Sequence, residues 1–210
     1  MTEKEIRLTA ELGRDGGRWP HSASLCVGAG RAAEGLRADW QHQLGQAVTE
    51  CGFRYLRFHG LLSDDMHLCY LDGSGKIAYS WQYVDSLFDA LLAIPVRPFV
   101  EFGFCPGVLA SGGTTQFWWQ GRVDPPADLH AWANLLTALS RHWLERYGAQ
   151  EVRRWYFEIW NEPDLRAFWN GTRSQYFALY AVSVRAIKAV DAALRVGGPA
   201  TSNFVPDARF

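Results

Sequence analysis

Arg153-Arg154-Trp155-Tyr156-Phe157-Glu158-Ile159-Trp160-Asn161-Glu162-Pro163-Asp164-Leu165 is the stretch on which the reading of this chain turns. It opens as a run of aromatic and β-branched side chains, which suit the pleated surface of a buried strand. Pro163 cannot donate to a sheet ladder and halts the run. Glu162, with the amide Asn161 directly before it, therefore stands where a strand ends, close to Trp155 and Trp160. In parallel barrels that end is where reactive groups gather, and an indole face beside an acid is a platform for a sugar ring.

On either side, strands alternate with helices. Ser24-Leu25-Cys26-Val27-Gly28 reads as a first strand, with Gly28 and Gly30 opening a loop. Leu36, Trp40, Leu44, Val48 and Cys51 share one helical face, and Gly52 supplies a left-handed stop. Phe53-Arg54-Tyr55-Leu56-Arg57-Phe58 is a second strand, ending in His59-Gly60 and the polar loop Ser63-Asp64-Asp65. Ser80 is placed to cap a helix whose stripe is Val84, Leu87, Phe88, Leu91 and Leu92. A third strand, Arg97-Pro98-Phe99-Val100-Glu101-Phe102, runs into a long loop carrying Phe117-Trp118-Trp119. After Pro125-Pro126 a helix presents Leu129, Trp132, Leu136, Leu139, Trp143 and Tyr147, closed by Gly148. The opening stretch is the fourth strand. A helix over about Ser174 to Ala193 follows, and Leu194-Arg195-Val196-Gly197-Gly198-Pro199 begins a fifth strand.

Such alternation implies parallel strands joined by right-handed crossovers. A doubly wound sheet stays open as an alternative, although no G-x-G-x-x-G follows the first strand and no P-loop occurs. Polar and aromatic loops at successive strand ends favour a (β/α)8 TIM barrel. At roughly 40 residues per unit, this α/β chain holds only a partial barrel, about the first five strands with four crossover helices. Residues 1–18 read separately, as a half-buried strand over Ile6 to Leu12 and a linker belonging to another sheet, with residues 19–210 forming the barrel portion.

Composition narrows the function. The 210 residues carry a net charge of -1, without the cationic excess that a nucleic-acid partner or a polybasic membrane surface requires. No run of 18 apolar residues occurs, so a spanning helix is not expected. The charged start Met1-Thr2-Glu3-Lys4-Glu5 lacks a secretory signal, and Cys26, Cys51, Cys69 and Cys105 show no C-x-x-C spacing. The expectation is a cytoplasmic protein with free thiols, no metal and no cofactor.

The chemistry that fits Glu162 is glycoside cleavage. Retaining glycosidases use two carboxyl groups about 5–5.5 Å apart, one protonating the leaving oxygen and one attacking the anomeric carbon. An aromatic wall would raise the pKa of Glu162 and suit it to donate the proton. Asn161 would hydrogen-bond the hydroxyl beside the reacting carbon. Glu158 faces the same side of the strand but lies about 13 Å away at ~3.3 Å per residue, so it reads as a structural acid paired with Arg57. Glu101 reads as a barrel-interior acid tied to an arginine. His59 stands either as a sugar ligand or as a core histidine, and Phe117-Trp118-Trp119 either stacks on sugar or packs its loop. Asn-Glu-Pro alone fits equally an ordinary turn in which Glu162 caps a helix.

Taken together, residues 157–165, Gly52-Phe53-Arg54-Tyr55-Leu56-Arg57-Phe58-His59-Gly60, Ser63-Asp64-Asp65-Met66, Phe117-Trp118-Trp119 and Arg195-Val196-Gly197-Gly198-Pro199-Ala200 resemble glycoside hydrolase family 39, which holds bacterial β-xylosidases and α-L-iduronidase. The resemblance implies a retaining hydrolase acting on an oligosaccharide or xyloside, with Glu162 as catalytic acid/base. It implies substrate contacts from Asn161, His59, Trp118 and Phe117, and an accessory β-sandwich that takes in residues 1–18. In the family the nucleophile is a second Glu at the end of a seventh strand, and no residue here matches it. The fragment alone is therefore expected to be inactive and to self-associate through exposed barrel edges. The alternative is a non-catalytic carbohydrate-binding or remnant protein.

Overall fold

The computed structural model describes residues 7–11, 13, 16–18 and 20–203. Nine strands are found among them: β1 Cys26–Arg31, β2 Tyr55–His59, β3 Cys69–Leu71, β4 Ile77–Tyr79, β5 Arg97–Phe102, β6 Thr115–Gln116, β7 Gly121–Arg122, β8 Tyr156–Ile159 and β9 Arg195–Gly197. The α-helices are α1 Ala38–Cys51, α2 Gln82–Ala93, α3 Leu129–Tyr147, the short α4 Ala149–Val152 and α5 Arg173–Val190. A five-stranded parallel sheet takes the order β1-β2-β5-β8-β9, so each crossover adds the next strand at the same edge. This sequential order with helical crossovers is that of a (β/α)8 barrel, here unclosed, and differs from a doubly wound sheet, whose strand order reverses.

Alternation along the strands sorts side chains between two layers. Leu56, Phe58, Val100, Phe102, Phe157 and Ile159 are buried against the helices. Phe88 of α2 stacks on Trp143 of α3 at 4.9 Å, and Trp143 reaches Trp155 at 5.8 Å and Phe157 at 5.9 Å, so aromatic rings join sheet and helices. The opposite face carries Arg57, Phe99, Tyr156, Glu158 and Arg195 and lines a cavity of about 620 Å³.

Several expectations need correction. Trp155 and Trp160 are 0% and 1% exposed and serve the core, not a sugar platform. Their indole N–H groups donate to Glu151 at 3.0 Å and to the Phe168 carbonyl at 2.8 Å, which makes such burial tolerable. Strand β1 starts later and continues through Gly28 and Gly30, because Gly30 at φ 44° absorbs an irregular register that brings Arg31 opposite His59. The first helical turn, Ala32–Leu36, is 3₁₀, so α1 begins at Ala38 and not at Leu36. Ser80 caps nothing: Trp81 holds the N-cap of α2, and the Ser80 N–H instead bonds the Leu68 carbonyl beside the β3–β4 hairpin. Helix α5 runs over Arg173–Val190 and so ends before the expected Ala193, at the last residue of its apolar stripe.

The expected strand over Ile6 to Leu12 is absent from residues 7–11, which are exposed, with Leu8 at 90%; Ile6 and Leu12 lie outside the described residues. Alternation gives a strand a face but not a ladder, and no described strand pairs with this segment. Among the described residues no helix is long and apolar enough to cross a membrane, and the four cysteines are free thiols.

Helix α5 begins with a reciprocal capping box: Thr172 Oγ1 accepts from the Gln175 N–H at 3.2 Å, and Gln175 Oε1 accepts from the Thr172 N–H at 2.8 Å. Thr172→Ala is expected to lower stability by about 1 kcal/mol. Urea unfolding followed by circular dichroism checks this, and an unchanged midpoint would show that tertiary packing alone sets the start of α5.

Candidate active site

The loop after β8 is held in an unusual backbone shape. Trp160 at φ 68° and Glu162 at φ 44° both lie in the left-handed region, which non-glycine residues seldom occupy. The surroundings enforce it. The Trp160 N–H donates to the Phe102 carbonyl at 3.1 Å, the Glu162 N–H to the Ala200 carbonyl at 2.8 Å, and the Trp160 ring sits edge-on to Trp169 at 4.9 Å. Asp164, 4% exposed, accepts from the Ser202 N–H at 3.0 Å and from its hydroxyl at 2.6 Å, tying this loop to the one after β9. The Glu162 side chain is half-buried, and its carboxylate makes no hydrogen bond or ion pair among the described residues. It is therefore not a helix-capping acid.

Beneath it lies a charged network on the inner face of the sheet. Arg57 of β2 donates to Glu158 of β8 through Nε at 2.6 Å and through its terminal nitrogen at 3.0 Å. The same terminal nitrogen reaches Asn161 Oδ1 at 2.7 Å and lies 3.7 Å from Glu101 Oε2. The Arg57–Glu158 pair is the one that strand alternation anticipated. Burial pulls the Arg57 pKa down, but its bonds to Glu158 and the charge of Glu101 outweigh this and hold the guanidinium above its ordinary range. Burial also pushes the Glu158 carboxyl up, and Arg57 offsets only part of that. Because Asn161 Oδ1 is occupied by Arg57, its NH2 group is the free end, so the amide is fixed as a donor. Glu101, fully buried, contacts His59 Nδ1 at the end of β2.

Aromatic rings from two loops build one wall. Phe104 packs edge-on against His59 at 5.8 Å and against Trp119 at 4.9 Å, and Phe117 stacks on Trp119 at 5.3 Å and meets Phe168 at 5.6 Å. Phe117 thus joins His59 through Phe104, and Trp118 stands apart at 80% exposure. The guanidinium of Arg31 lies 4.9 Å from the Trp118 ring and 5.3 Å from the Trp119 ring while also pairing with Asp65. Arg31, Phe104 and Phe168 escaped the sequence reading, since their partners lie far along the chain and no local spacing marks them. Among the described residues no group of three or more His, Cys, Asp or Glu is placed to hold a metal ion.

Comparison with known proteins places this geometry in context. The family model for glycosyl hydrolases family 39 matches residues 6–207. A β-xylosidase of Caldicellulosiruptor saccharolyticus is 44% identical over 200 residues, covering 95% of this chain and 41% of that protein. A β-xylosidase of Geobacillus stearothermophilus is 48% identical over 180 residues, 84% of this chain and 36% of its own length. The crystal structure of a monomeric β-xylosidase from Caulobacter crescentus CB15 superposes with a TM-score of 0.82 at 45% identity, covering 85% of this chain and 36% of that one. This chain thus spans about two fifths of the length of these two curated relatives. A half-buried acid at a barrel strand end, an amide oriented beside it and a match along nearly the whole sequence lead to one assignment: the chain belongs to glycosyl hydrolases family 39.

Proposed function

We propose that this segment supplies the proton-transfer half of a retaining, β-xylosidase-like hydrolysis of O-glycosyl bonds, with Glu162 as the general acid/base. The observation that carries the reading is the corner after β8. It sets an unpaired, half-buried carboxyl beside an amide whose orientation Arg57 dictates. In this mechanism Glu162 gives its proton to the departing glycosidic oxygen, then as carboxylate takes one from the water that releases the sugar. The Asn161 NH2 group donates to the hydroxyl next to the anomeric carbon. We assign further sugar contacts to His59 and to Phe117, which joins it through Phe104, and to the exposed face of Trp118.

The attacking carboxylate is a different matter. Glu158 and Glu101 are both committed to Arg57, and neither suits attack on the anomeric carbon. We assign the nucleophile to no described residue and attribute it to sequence beyond this segment. The 210-residue chain is accordingly expected to leave aryl β-xylosides uncleaved, while a longer protein carrying the same segment turns them over. Release of nitrophenol by the short chain would overturn this division of roles. A xylose-dependent rise in its melting temperature without turnover is the expected companion result, since the glycone pocket is assigned to residues present here.

A further inference from the structure

We propose that Glu101 is a positioning residue that keeps His59 protonated and fixes which ring nitrogen faces the cleft. Glu101 is inaccessible to solvent in β5, and one of its oxygens, Oε2, contacts His59 Nδ1. The other, Oε1, is buried without a hydrogen-bond partner, so its charge is not dispersed by further donors. Room for this side chain depends on Gly103, where a β-carbon would collide with the Glu101 carboxylate. The backbone is thus cleared for an acid that the proton-transfer scheme does not use.

The charges around His59 determine its state. Glu101 faces it from β5 and Glu158 acts on it from β8, while Arg57 stands two residues earlier on its own strand. Arg31 of β1 is opposite His59 in register, but its guanidinium is engaged by Asp65 and Glu34 and by the Trp118 and Trp119 rings. Two buried carboxylates therefore share the guanidinium of Arg57, while Arg195 on the same face lies over the Tyr156 ring, so one carboxylate has no bonded arginine among the described residues. A buried unpaired charge is strongly unfavourable, and an adjacent acid favours the charged imidazole. Protonation of His59 closes the balance without moving any atom.

The consequence is chemical. With Nδ1–H committed to Glu101, the protonated ring presents Nε2–H as a donor, and loss of that proton turns Nε2 into an acceptor. Nε2 has no partner among the described residues, and the ring is 29% exposed. The charged form therefore offers a fixed donor to a sugar hydroxyl oxygen. That last step rests on the glycosidase reading above; the charge state of His59 does not.

Nuclear magnetic resonance of the ¹⁵N-labelled 210-residue chain tests it, with the His59 ring signals identified by their loss in His59→Gln. The unaltered chain is expected to show the ring signals of a charged His59 imidazole at pH 7. In Glu101→Gln, where the amide can still accept from Nδ1–H but carries no charge, the ring is expected to be neutral at that pH. A His59 ring that stays charged at pH 7 in Glu101→Gln would overturn the proposal. Should Glu101→Gln fail to fold, the unaltered chain still decides: a ring neutral at pH 7 refutes the assignment, and a charged one upholds it. No sugar takes part, so failure of the glycosidase reading leaves this result standing, and the reverse holds too.

Discussion

Replacing Glu162 by glutamine in a family 39 protein that carries this segment is expected to lower kcat/KM on alkyl β-xylosides by ~10²–10⁴, the usual contribution of a positioned general acid. Glutamine keeps the shape but has no proton to lend. The loss should depend on the leaving group. A dinitrophenolate departs without protonation, so the first step on that substrate should be nearly unaffected, and slow release of the sugar should then limit turnover. Added azide, which needs no base to attack, should restore the rate and yield a glycosyl azide. Steady-state kinetics across a series of aryl xylosides supplies the measurement. Equal losses on good and poor leaving groups would remove Glu162 from the acid/base role.

Arg57→Met is expected to reduce stability by about 3–5 kcal/mol near neutral pH, because it strands Glu158 in the barrel interior without its cation and leaves Glu101 with His59 alone. The effect carries a pH signature. Burial already raises the Glu158 pKa in the folded chain, and loss of Arg57 removes the group that lowers it. A folded-state pKa above the unfolded value means that the folded form binds more protons between the two, so stability falls as pH rises through that window. The variant should therefore be least impaired near the unfolded glutamate value of ~4.3 and worst above the raised folded value. Adding Glu158→Gln to Arg57→Met should recover part of the loss, since a matched neutral pair leaves fewer stranded charges. Denaturant midpoints at acidic and neutral pH are the readout, and a pH-independent loss would mean that packing, not charge, dominates at residue 57.

The element pattern was legible because each element's dominant force is local. Apolar spacing at 3.6 residues marked the helices, and aromatic runs ended by Gly or Pro marked the strands. Glycine misled at β1, where Gly28 and Gly30 reside inside a strand and Gly30 takes the positive φ at its register shift. The Arg57–Glu158 pair was readable because strand alternation puts both on the inner face. The role of the tryptophans was not. Trp155 and Trp160 flank the strand that bears Glu162, yet side-chain direction sends both into the helix layer, and only exposure separates them from Trp118. The hold of Arg31 on the Trp118 loop spans 87 positions and leaves no trace in any short window.

The left-handed backbone at residues 160 and 162 has a bearing on how such a chain drifts over generations. Each such position costs on the order of 1–3 kcal/mol that glycine would largely avoid. A lineage released from selection for turnover would be rewarded for relaxing this bend, and one kept under it would be obliged to retain the tension. Tryptophan and glutamate at these two positions are thus the place where disuse would first leave its mark.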